Sequence, residues 1–379
     1  MSAFDRRYDW IDDERSLSAL AGRIADAARA ALDTEADSLH HYYEKVCLIQ
    51  VSISGDAYIV DPLAGMDLSV FFRALAGRPL ILHGADYDLR MLRSSFGFRP
   101  RAGVFDTMLA GQLLGHEQPG LATLAGEILG VVLVKGGQKF DWSRRPLPEA
   151  KLAYAADDTR YLEPLADRLR ERLCERGREE WHRETCDALV QKTGQDRPGR
   201  DPDDAWRIKG LKDCSREQLA FVRGLWHWRE KEAREADLPP FKVMGNELLL
   251  ELALWARAHP GQPARRGPRL PRTCREKRLD ALEHAVREAR GLPPDRLPPL
   301  RKKGERQEPL PAKEATRLEK LRDAAARVAG GLGLPSSVLA PRAALEAVVR
   351  AGAATVEEMM ESGGLLRWQA SLLAEAIRR

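Results

Sequence analysis

Leu32-Asp33-Thr34-Glu35 is the stretch on which the reading of this chain turns. It lies in a strand-like segment, Arg29 to Ala36, after a small-residue, helix-like run from Leu17 to Ala28. Successive strand side chains point to opposite faces, so Asp33 and Glu35 project one way while Leu32 and Thr34 project the other. Two carboxylates side by side repel each other unless something cationic lies between them. Hard divalent cations prefer such oxygen ligands, so the pair reads as half of a magnesium or manganese site. Asp-x-Glu also occurs on solvated strands, so the reading depends on where other acids fall.

Two further carboxylates sit on faces that should be buried. Pro79 to His83 is a short apolar run consistent with a buried strand, followed by Gly84 and a helical pattern in which Asp88, Met91 and Leu92 share one face. Tyr154 and Asp158 are four residues apart, and the same stripe continues through Leu162, Leu165 and Leu169. Burying an unpaired carboxylate is expensive, and the usual solutions are a pKa shift, a cationic partner or a metal. No Lys or Arg is read onto that stripe. The plainer alternative for Asp88 and Asp158 is an acid favoured by a helix N-terminus.

Asp33-Thr34-Glu35, His83 with Asp88 five residues on, and Tyr154-x-x-x-Asp158 together resemble the three-part signature of the DEDD 3′–5′ exonucleases with a tyrosine in the third motif. Cys47-Leu48-Ile49-Gln50, Phe105-Asp106-Thr107, Asp141-Trp142-Ser143-Arg144-Arg145-Pro146-Leu147 and Tyr154-Ala155-Ala156 make the chain similar to the ribonuclease D family across its exonuclease-like half. The resemblance implies an α/β ribonuclease-H-like exonuclease fold with a mixed sheet. It implies hydrolysis of the terminal phosphodiester at an RNA 3′ end, releasing nucleoside monophosphates, with two divalent ions (Mg2+ or Mn2+) about 3.5–4 Å apart. By carry-over, Asp33, Glu35 and Asp158 hold the first ion, Asp33 bridges to the second, and Asp88 supports the second. Tyr154 orients the attacking water; with an ordinary pKa of about 10 it is a poor base, so positioning is its role. The implied partner is RNA with a single-stranded 3′ end, transfer-RNA precursors above all, with no small-molecule cofactor. The chain departs from the family after the first motif. Ala36 stands where an aromatic is usual, and His40-His41-Tyr42-Tyr43-Glu44 replaces an Arg/Thr-Tyr-Tyr-Pro text. Both lie beside the substrate path.

At 379 residues, 44% of them hydrophobic, the chain can bury two or three domains. No apolar run approaches the ~18 residues of a membrane helix, and the start has no signal-peptide core. Five scattered cysteines, never in a Cys-x-x-Cys pair, argue against a disulfide framework or zinc site and fit a reducing cytoplasm. A formal charge of +4 permits a nucleic-acid partner without demanding one.

The expected domains are an exonuclease domain over 1–190, a helical domain over 204–291 and a second helical domain over 314–379. In the first, strands are expected over Arg29–Ala36, Lys45–Ser54 and Ala57–Val60, with Gly55-Asp56 as a tight turn. Helices follow over Asp67–Ala76, around Asp88, over Thr107–Leu114 and Leu121–Leu129, and from Tyr154 to near Gly177 with a kink or break at Pro164. After a linker, Gln191 to Asp204, Ser215-x-x-Gln218 is a capping box opening a helix whose stripe runs Leu219, Val222, Trp226. Asn246 is read as the cap of the next helix, and Arg275 to Arg290 as a further one. Ala205 to Gly210 and Trp228-Arg229-Glu230 resemble the helicase-and-ribonuclease-D C-terminal (HRDC) domain. Thr316 to Arg379, with the stripe Leu318, Leu321, Ala325, Val328 and the capping box Thr355-x-x-Glu358, resembles a divergent second copy.

Trp206, Trp226 and Trp228 can stack on bases or fill a bundle core, and core is the better reading for Trp226. Arg265-Arg266 and Arg301-Lys302-Lys303 can neutralise phosphates or simply stay solvated. Cys47 reads as a small core residue. The rival functions are a 3′–5′ DNA exonuclease of repair type, with the same acids, and a catalytically dead nucleic-acid-binding scaffold.

Overall fold

The structure is a computed structural model describing residues 8–134, 136–137, 139–196, 201, 203–300 and 310–378. These form two compact units, of which one carries the acids singled out above. Its elements are β1 (Asp9–Ile11), α1 (Glu14–Asp26), β2 (Ala30–Ala36), β3 (Val46–Ile53), β4 (Asp56–Val60), α2 (Ser69–Ala76), β5 (Leu80–Leu82), α3 (Asp86–Phe96), β6 (Val104–Asp106), α4 (Thr107–Leu113), α5 (Leu121–Leu129), α6 (Glu149–Arg160), α7 (Leu162–Glu175) and α8 (Glu179–Thr193). The sheet order is β1-β4-β3-β2-β5-β6. The β2-β3-β4 meander is antiparallel, while β1 on β4, and β5 on β2 and β6, pair in parallel. The sheet is mixed, as its motifs implied.

Alternation along the central strands sorts the two faces. Leu32, Ile49 and Val51 turn toward α1, α2 and α3, meeting Leu20, Ile24, Phe71, Leu75 and Leu92. On the other face Leu48 and Ile59 lie under Trp142, Ala155 and Ala156. Further along that face Ala31, Ile81 and Phe105 lie under Leu162, Leu165 and Leu169 of α7.

Four details differ from expectation. The hairpin turn is Ser54-Gly55, both with positive φ (51° and 89°), and Asp56 already pairs with Ile53. A two-residue turn with φ positive at both positions matches the strand twist, which moves the turn one residue back. Strands β1 and β6, each of three residues, are too short to show alternation. Helix α8 follows the Gly177 turn (φ 64°) where no helix was expected. The long third-motif helix breaks at Tyr161, not Pro164; Pro164 lies in the first turn of α7, where its missing N–H leaves no bond unmade.

The other unit combines Asp37–Glu44 with Asp196–Glu308. It holds α9 (Arg216–Glu235), α10 (Pro240–Val243), α11 (Asn246–Ala258) and α12 (Glu276–Arg290). The Ser215/Gln218 capping box is formed. Trp206 and Trp228 are buried in the core with Val222, Leu225, Leu249 and Val286, so neither is available for stacking on bases; Trp226 packs against the same core. Gly245, not Asn246, caps α11, because the Asn246 Oδ1 accepts from the buried Arg229 guanidinium at 2.7 Å. The stretch 40–44, which departs from the family text, is held here. Asp237, in the left-handed region at φ 45°, contacts His41 Nδ1 at 2.7 Å and accepts from the Tyr42 and Tyr43 amides. Arg265 and Arg266 are exposed on a short 3-10 turn. Arg301-Lys302-Lys303 lies outside the described residues.

The C-terminal helices α13 (Ala312–Leu332), α14 (Ser336–Leu339), α15 (Arg342–Arg350), α16 (Val356–Gly363) and α17 (Arg367–Arg378) share a core with the exonuclease sheet. Leu318, Leu321 and Ala325 join Leu165, Leu169 and Leu113 there, with Val328 packed at its margin. Trp368 stacks on Trp181 of α8 at 4.9 Å and 12°, and Arg178 donates to the carbonyls of both Leu113 and Leu332 at 2.6 Å. The Thr355/Glu358 capping box is formed.

Candidate active site

The site is built where β2 loses a neighbour. Parallel pairing with β5 covers only Ala30 and Ala31, after which β5 stops at Leu82 and α3 begins. The Thr34 amide left over donates to Asp88 Oδ1 at 3.1 Å, and the Thr34 hydroxyl donates to the same oxygen at 2.6 Å. Asp88 is thereby hung from the strand that carries Asp33 and Glu35, whose opposite face meets α6. A register shift between Glu35 and Ala36 ends the regular ladder just beyond.

Asp33, Glu35 and Asp158 come together: one carboxylate oxygen of each lies within 4.8 Å of the others, a group able to hold a metal ion. Asp88 is buried beside them but outside that group. Burial, followed by the charges of Asp88, Asp158 and Glu35, pushes Asp33 well above the usual carboxylate range. Burial and then Asp158 and Asp88 raise Glu35 to about 8. Burial raises Asp158 to about 7 against the opposing hydrogen bond from Tyr154, and raises Asp88 to about 6 against the two bonds from Thr34. The Tyr154 hydroxyl donates to Asp158, and burial with the nearby acids keeps it protonated far above neutral pH.

One charged residue that sequence reasoning passed over belongs to this site. Lys151, one turn before Tyr154 on α6, is the cation whose charge opposes the rise at Glu35. The expectation of no Lys or Arg on that stripe is corrected by it: the spacing of three to Tyr154 was the available signal. Lys151 Nζ donates to the Gly136 carbonyl at 2.7 Å and lies over the Phe140 ring. That draws the glycine loop onto Tyr154 so closely that a Cβ on Gly137 would fall 2.1 Å from Tyr154 Cε1. Trp142, buried, stacks on the Tyr154 ring with centroids 6.3 Å apart.

The remaining motif residues frame the site. Arg145 grips Asp61 with two nitrogens, at 2.6 and 2.7 Å, and donates to the Cys47 carbonyl, fixing the segment that leads into α6. His83 contacts the Thr107 hydroxyl at 2.9 Å and burial lowers its pKa, so it stands neutral at pH 7 outside the acid group. Asp106 accepts from four backbone amides, Gly84, Ala85, Met108 and Leu109. Cys47 is buried in the strand core, as its sequence suggested. Among the described residues no helix is long and apolar enough to cross a membrane.

A mixed sheet presenting this acid group, joined to a helical bundle, defines a 3′–5′ exonuclease with an HRDC region. Comparison with known proteins agrees: residues 8–174 match the 3′–5′ exonuclease family and residues 218–257 the HRDC domain. Ribonuclease D of Xanthomonas oryzae is 32% identical over 338 residues, covering 86% of this chain and 88% of that protein. Ribonuclease D of Acidiphilium cryptum is 33% identical over 253 residues, where the match spans 65% of this chain and 63% of its relative. Among solved structures, Escherichia coli RNase D, an exoribonuclease involved in structured RNA processing, superposes with a TM-score of 0.71 at 25% identity, covering 98% of this chain and 97% of that one. The chain belongs to the ribonuclease D family, a family of 3′–5′ exoribonucleases.

Proposed function

We propose that this protein hydrolyses RNA from a single-stranded 3′ end in a metal-dependent reaction that releases nucleoside monophosphates. The observation that carries the reading is the convergence of Asp33, Glu35 and Asp158 with their oxygens within 4.8 Å. The donor set is all oxygen, which suits Mg2+ or Mn2+. Asp33, Glu35 and Asp158 would hold one ion, Asp33 would bridge to a second, and Asp88, whose Oδ1 is taken by Thr34, would support that second ion. Bound there, such ions supply a nucleophile at neutral pH and charge neutralisation at the leaving oxygen. Tyr154 keeps its proton and gives it to Asp158, so it is not a base; its hydroxyl oxygen, which can still accept, would orient the water. Precursors of transfer RNA, processed in the cytoplasm, are the substrate class most in keeping with the family.

The domain reading, 1–190, 204–291 and 314–379, is part of this proposal. A repeated local pattern supports the second HRDC-like copy. Helix α9 has 20 residues and α13 has 21, and a left-handed residue follows each within two positions, Asp237 or Gly333. Each is followed by Leu-Pro and a four-residue helix, and the leucine amide closes back onto Ala233 or Ala329.

The test is product analysis on 3′-labelled single-stranded RNA and matched DNA with Mg2+ or Mn2+. Monophosphates from RNA in preference to DNA are expected. Faster release from DNA would favour the repair-type alternative, and binding without cleavage of either strand would favour the scaffold.

A further inference from the structure

Gln50 belongs to a motif, Cys47-Leu48-Ile49-Gln50, that no step of the reaction above uses. Its side chain is fully buried, and neither Nε2 nor Oε1 has a hydrogen-bond partner. A buried primary amide with both ends unsatisfied is uncommon in a native interior and asks for an explanation. Its surroundings narrow the choice. In the β2–β3 ladder Gln50 stands directly opposite Asp33, so the two side chains share one face with Cβ atoms about 4.5–5.5 Å apart. On the β4 side its opposite residue is the apolar Ile59. Along its own strand, Leu48 is apolar and the Ser52 hydroxyl is already committed to Thr159 at 2.7 Å. Over this face packs α6 with Ala155 and Ala156. Asp33 is the acceptor directly opposite Gln50; Glu35, the other carboxylate on this face, stands opposite Leu48, one diagonal step further away.

We infer that Gln50 is a positioning residue for Asp33: its amide nitrogen donates to the Asp33 carboxylate when a divalent cation draws that carboxylate into its bound orientation. The inference rests on the proposed metal site. Gln50 is buried too deeply to touch substrate, so it acts through Asp33 alone. Outer hydrogen-bond partners of ligating carboxylates fix ligand orientation, and their loss typically weakens metal affinity by ~10–100-fold.

The experiment is Mn2+ binding, by calorimetry and by the Mn2+-induced rise in melting temperature, for wild type, Gln50→Met and Gln50→Leu. Both substitutions replace the amide with an apolar group of similar length or volume. The expected result is a Kd about 10-fold or more higher in both variants, with the Mn2+ concentration that half-saturates hydrolysis raised by the same factor. The melting temperature without metal should stay level or rise, because an orphaned amide has been removed. If one variant folds poorly, the Mn2+-induced rise measured from its own baseline still decides. Unchanged Mn2+ affinity in the variants, beside normal binding by wild type, would overturn the role of Gln50 and leave the metal site standing. Failure of wild type to bind Mn2+ would overturn the site itself.

Discussion

Asp106, which ends β6, and Asp33, in the middle of β2, are acids of one sheet, and the structure treats them in opposite ways. Asp106 is surrounded by donors: four backbone amides at 2.8–3.2 Å converge on its carboxylate, tying β6 to α4 and to the Gly84 turn. Asp33 faces other acids, Glu35 and Asp158, with Asp88 close by. Burial is similar in kind; what differs is what fills the space around the oxygens. An acid whose acceptors are all occupied by the fold is a joint. Acids pressed together with too few donors to offset burial and mutual repulsion are destabilised in the charged form, and a cation is the partner that resolves them. Motif membership does not make the distinction, since Phe105-Asp106-Thr107 is as much family text as the acids of the crowded site.

The contrast can be broken most sharply by removing an acid from the crowded site. Asp158→Ala should lower 3′-end hydrolysis by more than the ~10–100-fold typical of outer-shell losses, while metal-free stability holds or improves. Next comes Tyr154→Phe, which should slow turnover on the order of 10²-fold and leave Mn2+ affinity near normal; a collapse of affinity would show the hydroxyl to be a metal-site component. Asp106→Ala should do the reverse of Asp158→Ala. It should cost about 2–4 kcal/mol in chemical denaturation by orphaning an N-cap and a turn, yet keep the Mn2+-induced stabilisation.

The smallest effect is the dependence on pH. The acids of the cluster hold protons more tightly in the folded chain than at their ordinary values near 4. Their contribution to stability is therefore complete below about pH 4 and is lost as pH rises through about 6 for Asp88, 7 for Asp158 and 8 for Glu35. Metal-free protein should melt at progressively lower temperature over that range. Added Mn2+ should open a gap that widens with pH, reaching roughly 5–10 °C at pH 8 with the ion at a hundred times its Kd.

Much of this was legible because the informative residues contradict their surroundings. An acid pair in a strand, and acids on apolar stripes, stand out by the cost of burying them, and the structure brings Asp33, Glu35 and Asp158 into one group. The central strands and both capping boxes were readable from local chemistry alone. What stayed hidden has no local signature. Strands of three residues carry no period, and β1 and β6 are defined by their partners. Lys151 has only its spacing of three to Tyr154 to mark it, and tertiary packing is what shows it turned toward Glu35 and the glycine loop. Trp206 and Trp228 could not be assigned between core and bases until their burial was seen. His40 and His41 read as substrate-side departures, yet Asp237, some two hundred residues away in sequence, is what His41 meets.

The central claim is that the acids of this site are crowded for a cation's sake. It is tested most directly by thermal melting of wild type and Asp33→Asn at pH 8, with and without Mn2+. Asp33→Asn should melt at or above the wild-type temperature without metal and lose most of the Mn2+-induced rise. A variant that melts lower without metal while keeping the full rise would contradict the account.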